Sequence, residues 1–322
     1  MAYRGLLIIG SERMTQKSVQ QLIDNAKNRR VKKVVEKVMP ALLFLAAVIS
    51  VLTTLGILFT LIFETFEFFN RVSFAQFLGE TKWLPFSSKE PLYGIWPLVL
   101  GTLKVTFIAV LVAIPLGLGA AIYLSEFASD KVRRIIKPIL EVLAGVPTII
   151  YGFFALTFIT PMLQTFIPEL KIFNAISPGI VIGIMIIPMI ASLSEDAMTA
   201  VPRAVREGAI ALGATKFEVS IKVVLPAAIS GIVASIVLAI SRAIGETMIV
   251  SLAGGSLPRF DAEFTDSIQT MTAYIVQVAT GDASYGSTIY YSIYAVGFTL
   301  FIFTLLMNLL ASRISKRFRE EY

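Results

Sequence analysis

The uncharged stretch from Met39 to Phe63, MPALLFLAAVISVLTTLGILFTLIF, decides the fold class of this chain. About 20 apolar residues of helix cross a hydrocarbon core about 30 Å thick, and residues 39–63 exceed that length. The stretch is also longer than the roughly 7–15-residue core of a signal peptide, and no small-residue cleavage site follows it. It therefore predicts a transmembrane helix that stays in the mature protein.

Five further apolar stretches follow, each long enough to span a membrane and with few or no charges inside. They are Gly94–Ser125, Val142–Pro168, Ile172–Ser194, Val223–Pro258 and Ala283–Ser312. The pattern predicts an all-α polytopic membrane protein with six transmembrane helices over residues 39–312. A basic N-terminal segment, 1–38, precedes them and a short tail, 313–322, follows.

Composition excludes most other classes of protein. The chain is 56% hydrophobic with a mean hydropathy of +0.78, above the roughly 45–50% apolar content of soluble domains. It has no cysteine and no histidine, which removes thiolate nucleophiles, imidazole bases and the usual zinc ligands. It also lacks a Gly-Lys dipeptide, so it has no phosphate-binding P-loop. We expect no enzymatic activity, no catalytic residue, no metal site and no cofactor.

The net charge of +6 is better explained by membrane topology than by a nucleic-acid partner, because the basic residues lie between the apolar stretches. With an N-terminus in the cytoplasm, the cytoplasmic segments carry 21 Lys and Arg residues and the opposite segments carry 5. Positive residues near span ends are retained on the cytoplasmic side. The bias predicts a multi-pass protein in a lipid bilayer with both termini cytoplasmic.

The segment between the fourth and fifth stretches predicts two short helices joined by a tight turn. Val205, Ala209 and Leu212 recur at helical spacing after Pro202, which suits a first helical position. Gly213 should end this helix, because glycine tolerates the left-handed conformation of a C-terminal turn.

A second helix should begin directly after that turn. Thr215 and Glu218 have the spacing of a capping box, in which each side chain satisfies an unpaired amide of the first turn. Phe217, Ile221 and Val224 then fall on one face. By the predicted topology, this helix pair is presented to the cytoplasm.

Two charged residues interrupt the fifth stretch. Arg242 and Glu246 are four residues apart, hence on one face of a continuous helix, where they can pair. They are either a structural ion pair between helices or part of a substrate path in which Arg242 binds an anion through its guanidinium. Lys104, in the second stretch, is expected to extend its stem to the membrane interface.

The segment around residues 200–226 resembles the EAA loop of binding-protein-dependent ATP-binding-cassette (ABC) importer permeases. Glu207-Gly208-Ala209, Gly213 and Leu225-Pro226 match its residues and its spacing, with Gly208 in place of the first alanine. In that family the loop is a coupling helix that docks onto a separate ATPase. The resemblance assigns ATPase coupling to Glu207, Gly208, Ala209 and Gly213. An ordinary amphipathic loop between spans is the alternative.

The resemblance extends to the phosphate-specific transport (Pst) permeases through four segments: Tyr93–Leu103, Ile114–Glu126, Leu143–Phe154 and Ser241–Thr247. The segment Phe74–Pro85 is similar to the C-type subunit. The resemblance implies import of inorganic phosphate across the bacterial cytoplasmic (inner) membrane, with Arg242 and Glu246 in the path. It also implies three kinds of partner: an A-type permease in a heterodimer, a cytoplasmic ATPase dimer and an extracytoplasmic phosphate-binding protein.

Three other interpretations compete with this one. An ABC permease for another small anion would share every feature above. Glu246 bears on the choice between phosphate and another anion. Monohydrogen phosphate carries a proton that it can donate to a carboxylate, whereas sulfate carries no proton. A secondary transporter predicts inverted repeats and broken helices in matching halves, and the sequence shows neither. A channel predicts a filter loop, and none stands out.

Overall fold

The computed structural model describes residues 36, 38–281 and 283–317. Nearly all of the basic segment predicted over 1–38, and residues 318–322 of the tail, lie outside the described residues. The chain falls into two compact units, residues 1–60 and residues 61–322. The packing and the sites described below belong to the second unit.

Helices make up nearly all of the regular structure in the described residues. A two-stranded antiparallel ladder, β1 (Trp83–Leu84) and β2 (Leu92–Tyr93), accompanies them. The helices of the first half are α1 (Val38–Phe69), α2 (Phe74–Gly79), α3 (Trp96–Ile122), α4 (Asp130–Ala144), α5 (Thr148–Phe154) and α6 (Thr160–Gln164). Those of the second half are α7 (Ile176–Thr199), α8 (Arg203–Ala211), α9 (Lys216–Val219), α10 (Leu225–Ala227), α11 (Ile229–Ile244), α12 (Met248–Ala253), α13 (Met271–Thr280) and α14 (Thr288–Arg317).

The all-α polytopic architecture is confirmed, with four candidate spans in single helices and up to six if each of two bent helix pairs is one span. Four helices are long and apolar enough to cross a membrane alone: α1, α3 with its π-helical end at Tyr123–Phe127, α7 and α14. Two pairs pass the same test only together, α4 with α5–α6 and α9–α10 with α11, and these bend by 86° and 72°. The bends show that the prediction of unbroken helices was wrong for these two pairs.

The third predicted span, Val142–Pro168, is interrupted by the sequence Gly145-Val146-Pro147. α4 ends at Ala144 and α5 begins after Pro147, whose ring cannot continue the preceding helix. α4 has no buried residue and is strongly amphipathic, as expected of a helix lying outside the bundle core. The more apolar part of this bent pair is therefore α5–α6.

The core of the bundle forms where α3 packs against α7, and small residues allow the close approach. A Cβ on Gly183 would lie 2.9 Å from the carbonyl oxygen of Ala109, and one on Gly117 would lie 2.8 Å from the Cβ of Ile190. Glycines at helix crossings let backbones approach closely in membranes, where dispersion contacts hold helices together. This contact makes α3 and α7 a closely packed pair.

Two further clusters of buried residues lie at the two ends of the bundle. One is aromatic and surrounds Trp83, which contacts Tyr93 and Tyr274 edge to face. The other surrounds Met198 and Val219 and fixes α8, α9 and α10 against the ends of α3 and α7. We call the latter the loop end of the bundle.

Candidate functional site

The turn after α8 has the geometry that the sequence predicts. α8 ends at Ala211, and Gly213 has a φ of +90°, in the left-handed region. The amide of Gly213 donates to the Ile210 carbonyl at 2.9 Å, and the amide of Ala214 donates to the Ala209 carbonyl at 3.2 Å. This pair of bonds is a Schellman motif, which requires a left-handed residue at position 213.

The capping box that begins α9 is also confirmed. The Thr215 hydroxyl accepts from the Glu218 amide at 3.3 Å, and the Glu218 carboxylate accepts from the Thr215 amide at 3.0 Å. Lys222 pairs with the same carboxylate at 3.1 Å. The two short helices and the turn between them form one compact unit, which we call the loop pair (residues 203–219).

The apolar residues of the loop pair divide between the bundle and the solvent. Val205 and Ala209 pack against the loop-end cluster, as their spacing predicts. Leu212, predicted on the same face, is 91% exposed, and Phe217 is 66% exposed. That prediction was wrong for Leu212. The helix α8 ends at Ala211, so Leu212 is the C-cap residue and lies outside the helical repeat. Two large apolar side chains therefore flank the Gly213 turn.

The three residues Glu207, Gly208 and Ala209 all lie in α8, two of them directed away from the bundle. Glu207 and Gly208 are exposed, and a Cβ on Gly208 would meet nothing within 4 Å. Ala209 is half-buried. No contact in the described residues assigns these three a function, so their role in ATPase coupling remains a prediction.

Arg206 attaches the loop pair to the bundle, a role that the sequence did not indicate. Its Nη2 donates to the Met198 carbonyl at 2.6 Å and to Glu126 Oε1 at 3.1 Å, and its Nη1 donates to the Val201 carbonyl. Met198 lies in the last turn of α7, where helix carbonyls lack helical partners and favour a cation. One guanidinium thus joins α8 to the ends of α3 and α7.

A second charged cluster at the loop end surrounds Glu195, which is fully buried. Arg133 from α4 donates to its Oε1, and Lys137 Nζ lies 2.5 Å from its Oε2. Thr199 donates to Oε1 at 3.2 Å. The predicted fourth span ends at Ser194, one residue before Glu195, so this cluster was not predicted. Basic residues at i and i+4 in α4 were the available signal.

Arg242 and Glu246 do not form the predicted pair. α11 ends at Ile244 with Gly245 as its C-cap, so the two residues are not on one helical face. Glu246 is 8% exposed, and its Oε1 accepts from the amides of Met248 and Ile249 at the start of α12. Arg242 is exposed and has no hydrogen-bond or ion-pair partner among the described residues. The pairing prediction was wrong because a break at Gly245 gives the carboxylate amide donors of its own.

The side chain of Lys104 is half-buried and contacts the loop between α12 and α13, and its extension to the membrane interface stays a prediction. Its Nζ donates to the Ala262 carbonyl and lies 6.0 Å from the centre of the Phe264 ring. The same loop between α12 and α13 is fixed by an ion pair of 2.5 Å between Lys171 and Asp266. The hydrogen bond from Lys171 holds the pKa of Asp266 below its usual range. This loop lies at the bundle end opposite the loop pair.

Within the part of the chain that the structure describes, no group of three or more acidic side chains could hold a metal ion. At the loop end, Glu126 and Glu195 are engaged by arginine and lysine instead. The loop end is built for ion pairing between helices.

Comparison with known proteins supports one family. Residues 113–320 match the model of the binding-protein-dependent transport system inner membrane component. The probable ABC transporter permease protein YqgH of Bacillus subtilis is 32% identical over 301 residues, which cover 92% of this chain and 96% of that protein. The phosphate transport system permease protein PstC of Mesorhizobium japonicum is 33% identical over 287 residues, 83% of this chain and 86% of that protein.

The fold agrees with a solved structure of the same class. A bacterial ABC transporter involved in the import of alginate contains a chain that superposes with a TM-score of 0.62, at 17% identity, over 90% of this chain and 100% of that one. The likeness at this identity concerns the fold alone. By the family match and by its relatives, the chain belongs to the inner membrane components of binding-protein-dependent transport systems, where it is similar to the C-type permeases of phosphate transport.

Proposed function

We propose that this chain is the C-type permease of an ATP-driven importer that moves inorganic phosphate into the cytoplasm of a bacterium. It pairs with an A-type permease, receives phosphate from an extracytoplasmic binding protein and is driven by a cytoplasmic ATPase dimer. The loop end faces the cytoplasm in this arrangement, with both termini on that side. Relatives named as phosphate permeases and the Lys and Arg bias support the proposal.

The observation that carries the ATPase partner is the exposure of Leu212 and Phe217 beside the Gly213 turn. Exposed apolar side chains on a rigid turn are suited to a hydrophobic pocket of another protein. The Schellman motif and the capping box fix the backbone that presents them. The same segment carries the EAA-like residues Glu207, Gly208 and Ala209, so pattern and exposure support the same partner.

Arg242 is the proposed contact for phosphate. Its guanidinium is permanently charged, exposed and unpaired among the described residues, and it can bind two phosphate oxygens at once. An unpaired charge in a membrane helix costs free energy unless it faces protein, water or a ligand. We place this side chain in the path between the two permeases, together with Glu246, whose carboxylate is fixed by the amides at the start of α12.

Co-purification of the ATPase with two variants of the co-expressed complex tests the ATPase proposal. Leu212→Ser should abolish co-purification of the ATPase while leaving the permease folded, because the side chain is 91% exposed. Phe166→Ser is the matched control, since Phe166 is 78% exposed and lies outside the loop pair. Retention of the ATPase by the Leu212 variant would exclude docking through this turn.

Uptake by proteoliposomes tests the substrate and the driving force. Phosphate uptake should require ATP and all partner subunits and should be lost in Arg242→Gln. Glu246→Gln should narrow the preference for phosphate over sulfate. A secondary transporter is the competing candidate, favoured by the two broken spans. Ion-driven uptake by this chain alone would establish it and refute the ABC assignment.

A further inference from the structure

A cavity of about 310 Å³ opens at the loop end, between the loop pair and the ends of α3, α4 and α7. Four of its lining residues are cations: Arg133, Arg203, Arg206 and Lys216. One lining residue, Glu126, is a carboxylate. The cations come from α4, α8 and α9, so three separate helices direct positive charge into one space.

The positive charge of this cavity is only partly compensated. Arg206 pairs with Glu126, and Arg133 pairs with the buried Glu195 behind the wall. Arg203 and Lys216 are exposed and have no ion pair among the described residues. Like charges that converge repel one another, so an anion in the cavity would relieve an unfavourable arrangement.

The donor set fits a phosphate group. Arginine binds phosphate oxygens through two parallel N–H bonds, and lysine adds a compact point charge. Arg133 and Arg206 keep N–H groups beyond those already used, because a guanidinium carries five donors. The volume is at the lower end of the roughly 300–1,000 Å³ typical of small-molecule sites.

We propose that this cavity, which we call the loop cavity, binds a phosphate group, either free inorganic phosphate or the headgroup of an anionic lipid. The bound anion bridges Arg203 and Lys216 of the loop pair to Arg133 of α4 and so restrains the loop pair against the bundle. If the loop pair couples to an ATPase, as proposed above, occupancy slows transport. Phosphate accumulating on the loop side would then oppose its own import.

The test separates the loop cavity from the translocation path by working in an Arg242→Gln background. The complex with its ATPase and partner permease is reconstituted in neutral nanodiscs, and its thermal unfolding is followed as inorganic phosphate is added. A parallel series replaces part of the neutral lipid by phosphatidylglycerol. We expect saturable stabilisation in one or both series.

Arg203→Gln and Lys216→Gln, added to this background, should each weaken the apparent affinity about tenfold, the value of one charge-assisted contact. Both residues are exposed and unpaired among the described residues, so the fold should survive. Lys222→Gln is the matched control, because Lys222 is an exposed cation six residues after Lys216 that does not line the loop cavity. It should leave the affinity unchanged.

The outcomes decide the proposal independently of the transport function. Stabilisation by phosphate that depends on Arg203 and Lys216 identifies free phosphate as the ligand, and the same dependence with phosphatidylglycerol alone identifies a lipid headgroup. Absence of stabilisation in both series, or stabilisation that survives both substitutions, overturns the loop cavity as an anion site. Phosphate uptake by the wild-type complex is a separate measurement, which tests the transport function and not the loop cavity.

Discussion

Replacement of Gly213 by alanine tests whether the loop pair works as a rigid connector. A Cβ at this position would meet nothing within 4 Å, so the substitution introduces no clash. The φ of +90° is nevertheless unfavourable for an L-residue, at a cost of about 1–2 kcal/mol. The strain acts on the Schellman bonds of Gly213 and Ala214, which hold the turn closed.

Gly208→Ala is the matched control, because it adds the same methyl group five residues earlier in the same loop pair. A Cβ there also meets nothing within 4 Å, and the residue lies inside α8. Alanine should therefore stabilise α8 by about 1 kcal/mol. Asparagine at position 213 should fall between glycine and alanine, because its side chain tolerates the left-handed region.

Two assays report the effect. A local cost of 1–2 kcal/mol corresponds to a population change of about 5–30-fold, so hydrogen exchange in residues 209–219 should accelerate by up to that factor in Gly213→Ala. In proteoliposomes the same variant should hydrolyse ATP with less phosphate imported per ATP, whereas Gly208→Ala should transport normally. Equal behaviour of the two variants in both assays would refute the argument that the left-handed turn couples the subunits.

Three further predictions concern the bundle. Glu195→Gln should lower the stability of the detergent-solubilised protein by up to roughly 3 kcal/mol, because it removes a fully buried carboxylate that pairs with the partly exposed Arg133 and Lys137. Asp196→Asn, at a position whose side chain is 60% exposed, should change the stability by less than about 1 kcal/mol in the same thermal scan. Gly183→Ala should destabilise by about 1–3 kcal/mol through its contact with the α3 backbone, and an unchanged melting temperature would contradict the packing described above. The lowered pKa of Asp266 contributes stability above its unfolded pKa of about 3.9, and this contribution is lost as the pH falls through the folded value. The loss of stability between about pH 5 and pH 2 should shrink in Lys171→Gln, and an equal loss would show that the ion pair has no role in acid stability.

The parts of the site that depend on local chemistry could be predicted from the sequence. A glycine at the end of an amphipathic helix and a threonine three residues before a glutamate each specify a backbone geometry within a few residues. The turn at Gly213 and the capping box of Thr215 and Glu218 therefore appear as predicted. The apolar stretches that form the spans could likewise be predicted, from their length and hydropathy.

The predictions that failed depend on single residues within apolar stretches. Gly245 ends α11 and Pro147 separates α4 from α5, but glycine and proline also occur inside continuous membrane helices. Hydropathy alone does not distinguish these cases. The contacts of Arg206 and Glu195 join segments far apart in the chain, so a local pattern does not identify their partners.

These long-range contacts determine what a displacement of the loop pair acts on. Arg206 attaches α8 to the ends of α3 and α7, and the glycines between α3 and α7 allow those two spans to pack closely. α11 is connected differently, through the 72° bend that follows α10. If the loop pair docks onto an ATPase as proposed, we expect its displacement to pull the α3–α7 pair through these ion pairs and hydrogen bonds and to turn α11, with Arg242, about the bend. On this proposal, docking of a single turn would alter the substrate path on one side while the packed core of the bundle stays intact.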